Sequence, residues 1–230
     1  MNGKISRTAA TAIGVIAAFV VVAALFGFTV VSTDEEAALT IEFDPAAYVD
    51  SVWDEVQTTI SDSAVDLAVI LNQIQPDADG NAATEALTPV AEANGRITSG
   101  EAHVYRVYAS GTVTDVDTST SKGTIGLAID GYDGPIAVRV YVGTRIPSDE
   151  SSIRDATGFI EFGDFKEQTE FGKVASEINK KVVADLEGLD PEALVGEHVD
   201  VTGAFTMRTF NQPEIDVSEL TIVPLQVESQ

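Results

Sequence analysis

The apolar residues of this chain fall into three successive patterns. The first is an unbroken run from Thr8 to Thr33, 26 residues without a charge. The second has helical spacing: Tyr48, Val49, Val52, Trp53, Val56 and Ile60 recur behind Asp44-Pro45, an N-cap with proline at the first helical position. This predicts an amphipathic helix with Trp53 on its packing stripe; the alternative role for Trp53 is a platform for a stacked ligand. A second helix is expected behind Ser63, carrying Val65, Leu67, Ala68, Ile70, Leu71 and Ile74 and stopped by Pro76. Residues 76–102, rich in Asp, Ala, Asn and Gly, read as an irregular or partly helical connection.

At His103 the period drops to two, the signature of half-buried strands. Tyr105, Val107 and Ala109 alternate, Gly111 offers a bulge, and Val113 and Val116 continue the strand. Polar turns separate it from Ile125, Leu127 and Ile129, and then from Ile136, Val138, Val140 and Val142. A helix follows, with Phe171, Val174, Ala175, Ile178 and Val182 on one face and Gly188 at its end. Asp190-Pro191 opens one more turn, closed by Gly196. Val199, Val201, Gly203 and Phe205 mark a fourth strand, and Ile215, Val217, Leu220 and Ile222 a fifth. Three strands, a helix and two strands is the order of an OB-fold, a five-stranded, partly open Greek-key barrel. The expected class is α+β: an OB-fold-like β-barrel over residues 103–230, its helix covering the open end, with a helical segment at 44–102. A different α+β meander with the helix across one face is the alternative.

The N-terminal run is long enough to cross a bilayer, which takes about 20 apolar residues. Lys4 and Arg7 precede it and Asp34, Glu35 and Glu36 follow, so the positive-inside tendency places the short N-terminus in the cytoplasm and the rest outside. Residues 1–33 are expected to form a single-pass signal anchor held in the membrane through residues 8–33, and residues 34–43 an acidic stalk. A cleaved signal peptide is the alternative, although its apolar region is shorter and ends at a small-residue site.

Charge adds a second constraint. All 37 acids lie at or beyond Asp34, against 13 bases in the whole chain, and the formal charge is −24. Such a surface stays hydrated in concentrated salt, where its self-repulsion is screened; a halophilic source, an archaeon, is expected. The charge argues against nucleic acid, whose phosphates need Lys and Arg. Zero cysteines exclude disulfides, thiolate metal sites and lipid attachment through cysteine.

The search for chemistry is close to empty. Nucleophile-elbow, phosphate-loop, dinucleotide and zinc-protease motifs are absent. Asp77-Ala78-Asp79-Gly80-Asn81 resembles a calcium loop but is followed by Ala82 and Thr88 where an EF-hand needs Gly and Glu. His103 and His198 read as surface residues. Asp115 and Asp117 share a strand face, a spacing that also permits a carboxylate pair. Tyr105, Tyr108 and Tyr141, with Arg106 and Arg139 near them, are ordinary strand residues or a stacking surface for bases or sugars. No cofactor and no metal is expected.

Three stretches are nonetheless distinctive: F-D-P-A-A-Y-V-D-S-V-W-D from Phe43, I-R-D-A-T-G-F-I-E-F-G-D-F-K-E-Q-T-E-F-G-K-V-A-S-E-I-N from Ile153, and L-V-G-E-H-V-D-V-T-G-A-F-T from Leu194. Together they resemble the predicted periplasmic lipoproteins called domain of unknown function 2291, from about Thr29 to Val227. The resemblance implies export, a lipid anchor and genes beside those of sugar ABC transporters, with no established activity. Phe28 stands where that family carries its lipobox cysteine, so a transmembrane helix would replace the lipid.

The candidate functional surface is the block Arg154, Asp155, Phe159, Phe162, Asp164, Phe165 and Gln168, which mixes large apolar and charged side chains outside a regular periodicity. Its structural alternative has Phe159, Phe162 and Phe165 plugging the barrel while Arg154 pairs with Asp155 or Asp164. The expected function is a non-enzymatic, membrane-anchored extracellular accessory protein, with sugar ABC transporter subunits as partners. A small-molecule or oligosaccharide-binding OB module is the alternative, ahead of a carboxylate-dependent hydrolase.

Overall fold

The computed structural model describes residues 43–230, and Asp44–Gln230 pack as one unit. The expected anchor, residues 1–33, and the stalk up to residue 42 lie outside the described residues; within them, no helix is long and apolar enough to cross a membrane.

Helix α1 (Pro45–Asp62) starts where the N-cap predicts. The Asp44 carboxylate accepts from Ala46 N at 3.0 Å and Ala47 N at 3.1 Å, and Val49, Trp53, Val56 and Ile60 are buried along one face. Trp53 is therefore a packing residue. The next segment departs from expectation. Val65–Asp66 form a short strand, β1, parallel to the long strand β4 (His103–Asp117), and helix α2 is confined to Leu67–Leu71. The edge of β4 at Val107 and Tyr108 takes its partners from β1, a demand stronger than the helical preference of two residues. Asp66, not Ser63, caps α2 by accepting from Ala68 N at 2.8 Å.

Residues 76–102 are ordered around β2 (Asn81–Ala83), α3 (Thr84–Asn94) and β3 (Arg96–Ile97). The Asp77 carboxylate accepts from Asp79 N and Asn81 N at 2.9 Å each, which makes it a turn residue.

Five strands close into a ring: β4, β5 (Thr124–Ile129), β6 (Ala137–Tyr141), β9 (Glu219–Ser229) and β7 (His198–Met207), which returns to β4. β6 and β9 run parallel and the other ring neighbours antiparallel. The expected fifth strand divides, because Glu214–Asp216 (β8) leaves the ring to pair with β2. Gly111 is regularly paired with Ile129, and the irregularity falls between Val113 and Asp115.

The barrel interior is one apolar cluster. Tyr105 and Phe205, register partners across β4 and β7, stack at 4.8 Å within it. Leu67, Ile70, Leu71, Leu87 and Val90 of α2 and α3 complete the cluster. The late helix α5 (Gln168–Asp185) does not. Together with α1 and a short helix α4 (Ser152–Thr157), it packs on the outer wall of β4, β7 and β9. The expectation that it covers the barrel's end is thus corrected: α2 and α3 already fill that role, and the apolar face of α5 needs its own partner.

His103 also differs from its expected place. Only 3% of it is exposed, and no hydrogen-bond partner reaches Nδ1. His198 is half-buried, with Nε2 2.9 Å from the Asp130 carboxylate.

Candidate functional site

The segment between β6 and α5 builds the site. Helix α4 buries Ile153 and Ala156 and ends at Gly158, whose φ of +79° suits a glycine C-cap. Asn179 of α5 donates to the Glu150 carbonyl at 2.8 Å and ties the approach to α4 in place. A 3-10 turn, Phe162–Asp164, follows, locked by reciprocal bonds between Glu161 and Asp164.

Arg154 is the central group, and 9% of it is exposed. Its Nε and Nη2 donate to Asp155 Oδ1 at 2.8 and 2.7 Å, and its Nη1 donates to the Phe171 carbonyl at 3.0 Å. Its guanidinium carbon lies 3.5 Å from the Phe171 ring centroid, a cation–π contact. Asp155 Oδ2 accepts from Ser151 Oγ at 2.7 Å, and the Asp155 carbonyl accepts from Arg96 Nη1 at 2.7 Å. The pairing of Arg154 with Asp155 expected from the sequence is present.

The phenylalanines do not plug the barrel. Phe162 meets Phe171 edge-on at 5.7 Å, Phe165 tilts against Phe171 at 5.6 Å, and Tyr48 of α1 meets Phe165 at 5.5 Å. This aromatic chain joins α1 to α5 on the outside, because α2 and α3 occupy the interior. Phe162 remains 54% exposed.

Beside it opens a cleft of about 880 Å³. Of the predicted block, Arg154, Asp155, Phe162 and Gln168 line it; Phe159, Asp164 and Phe165 do not. The opposite wall was not legible in the sequence. It comes from the hairpin after Arg96, from Thr206 near the end of β7, and from Arg208 and Phe210 beyond it. Thr209 Oγ1 donates to the Glu101 carbonyl and holds these two loops together. Phe210 is 59% exposed, and Arg208 reaches Asp149 Oδ2 at 3.3 Å. Three arginines against Asp155 and Glu161 thus face one cleft of a protein whose formal charge is −24.

The other candidates separate. Asp115 pairs with Arg139, which holds its carboxyl below the usual range with help from Thr114, whereas Asp117 accepts from Ser119 N. Each has its own partners, and they do not form a shared acid–base site. Tyr105 is buried, which pushes its hydroxyl pKa up, while Tyr108 donates to Asp200 at 2.7 Å on the surface. Among the described residues no cluster of His, Asp and Glu is arranged to hold a metal ion.

The closed five-stranded ring defines an OB-fold protein, and a cleft opens on its outer layer. The chain belongs to the predicted periplasmic lipoprotein family, domain of unknown function 2291, whose model matches residues 18–228. It is also similar to a solved OB-fold protein from Thermotoga maritima, at 20% identity and a TM-score of 0.58, covering 82% of this chain and 99% of that one. No curated protein matches the chain.

Proposed function

We propose that this chain is a non-catalytic, membrane-anchored binding protein of the extracytoplasmic face. It takes a small molecule into the cleft beside Arg154 and serves as an accessory of a sugar ABC transporter. One observation carries the binding role: arginines and two exposed phenylalanines, Phe162 and Phe210, converge on one concavity of an otherwise acidic protein. A cleft of this size suits a small ligand. The family description supports export, the apolar residues 8–33 support a single-pass anchor in place of the lipid, and the family resemblance supports the transporter.

Chemical cross-linking in native membranes at the organism's working salt, followed by mass spectrometry, tests the accessory role. Transporter subunits joined through Lys166, beside the cleft segment, are the expected result. Recovery of the chain alone overturns that role and leaves the cleft to be judged by ligand binding.

A further inference from the structure

Arg96 and Arg106 stand out among the cations of this protein. Arg96 pairs with Val104 across β3 and β4, and Arg106 lies two residues further along β4. Both are half-buried. Among the described residues, neither has a carboxylate within ion-pair distance, although acids outnumber bases by 37 to 13. Arg96 lies along Gly158, where a Cβ would stand 3.4 Å from its Nη1, and spends one bond on the Asp155 carbonyl. Burial, and after it the charge of Arg96, lower the pKa of Arg106. Two neighbouring guanidiniums without a counter-charge are costly. An arriving oxyanion would remove that cost.

We propose that the cleft binds a small molecule bearing a carboxylate or phosphate on a ring, with the oxyanion on Arg96 and the ring face on Phe210 and Phe162. Arginine suits either oxyanion because its planar fork donates two parallel bonds. Arg106, behind Arg96, reinforces the field. Arg154 is committed to Asp155 and Phe171 and positions the wall without contacting the anion. The inference rests on the cleft being the binding site and names the chemistry that the site selects.

The test is thermal unfolding and calorimetry of the full chain in detergent, at constant ionic strength set with chloride. The probes are glucuronate, glucose 6-phosphate, inorganic phosphate and glucose. Glucuronate or glucose 6-phosphate should stabilise the protein saturably, inorganic phosphate more weakly, and glucose not at all; the stronger of the first two identifies the oxyanion. Arg96→Gln should weaken binding by about tenfold or more. Phe210→Ala, on an exposed side chain, should weaken the ring probes and spare inorganic phosphate. Arg145→Gln, exposed and not among the residues that line the cleft, should change neither. If glucose binds as well as the anions and Phe210→Ala abolishes it, the oxyanion assignment fails while the cleft stands as a binding site. If no probe saturates, both fail.

Discussion

The guanidinium of Arg154 covers the ring of Phe171 at 3.5 Å and donates to the same residue's carbonyl at 3.0 Å. One side chain therefore fastens α4 to the first turn of α5, with Asp155 balancing its charge. Arg154→Ala removes the cation–π contact and leaves Asp155, 16% exposed at its side chain, without its cation. The expected loss is about 3 kcal/mol of unfolding free energy, the scale for breaking a buried pair. Denaturant unfolding at fixed salt measures it, and a loss below about 1 kcal/mol would place the pair with ordinary surface ion pairs.

Closure of the barrel depends on Gly203, where a Cβ would lie 2.2 Å from the Val223 carbonyl oxygen and 2.9 Å from Pro224 Cα. Gly203→Ala must push β7 from β9 and is expected to cost about 3 kcal/mol, the upper range for overpacking. Gly163→Ala meets nothing within 4 Å and should stay within about 0.5 kcal/mol of the native protein. Equal midpoints for the two variants would contradict the close approach.

Burial holds the His103 pKa below its ordinary 6.5. The unfolded chain takes up a proton near pH 6.5 and the folded chain at lower pH. His103 therefore contributes its full stability above that pH, and the contribution falls as pH drops toward the folded value. NMR titration should find His103 titrating below 6.5, and His103→Met should remove its share of the slope. Titration at or above 6.5 would show the ring to be solvated.

Thirty-seven acids against 13 bases repel one another across the folded surface. Raising salt from about 0.1 to 1 M shortens the screening length from about 10 to 3 Å. The unfolding midpoint should therefore climb with KCl over that range. A flat midpoint would mean that the acidic surface is no adaptation to salt.

Periodicity made much of the architecture legible. The Asp44-Pro45 start and the stripe ending at Ile60 define α1, and the alternation from Tyr105 onward located the strands of the ring along the chain. Short segments were less legible. Val65–Asp66 and Glu214–Asp216 became strands because edges elsewhere needed partners, and two or three residues carry no period of their own. Four of the seven residues of the predicted block line the cleft. Arg96 and Phe210 were missed because they lie outside it, one in a two-residue strand and the other in a loop, with no regular spacing and far apart in sequence.

The sequence by itself determined helices α1 and α5, the alternating strands, the family and the acidic surface, because these reside in local spacing and composition. Only the tertiary structure decided that α2 and α3 fill the barrel while α5 lies outside, that His103 is buried, and that Arg96, Arg154 and Arg208 face one cleft. Barrel closure brings residues 96, 154 and 208 together, and such long-range proximity leaves no local pattern to read.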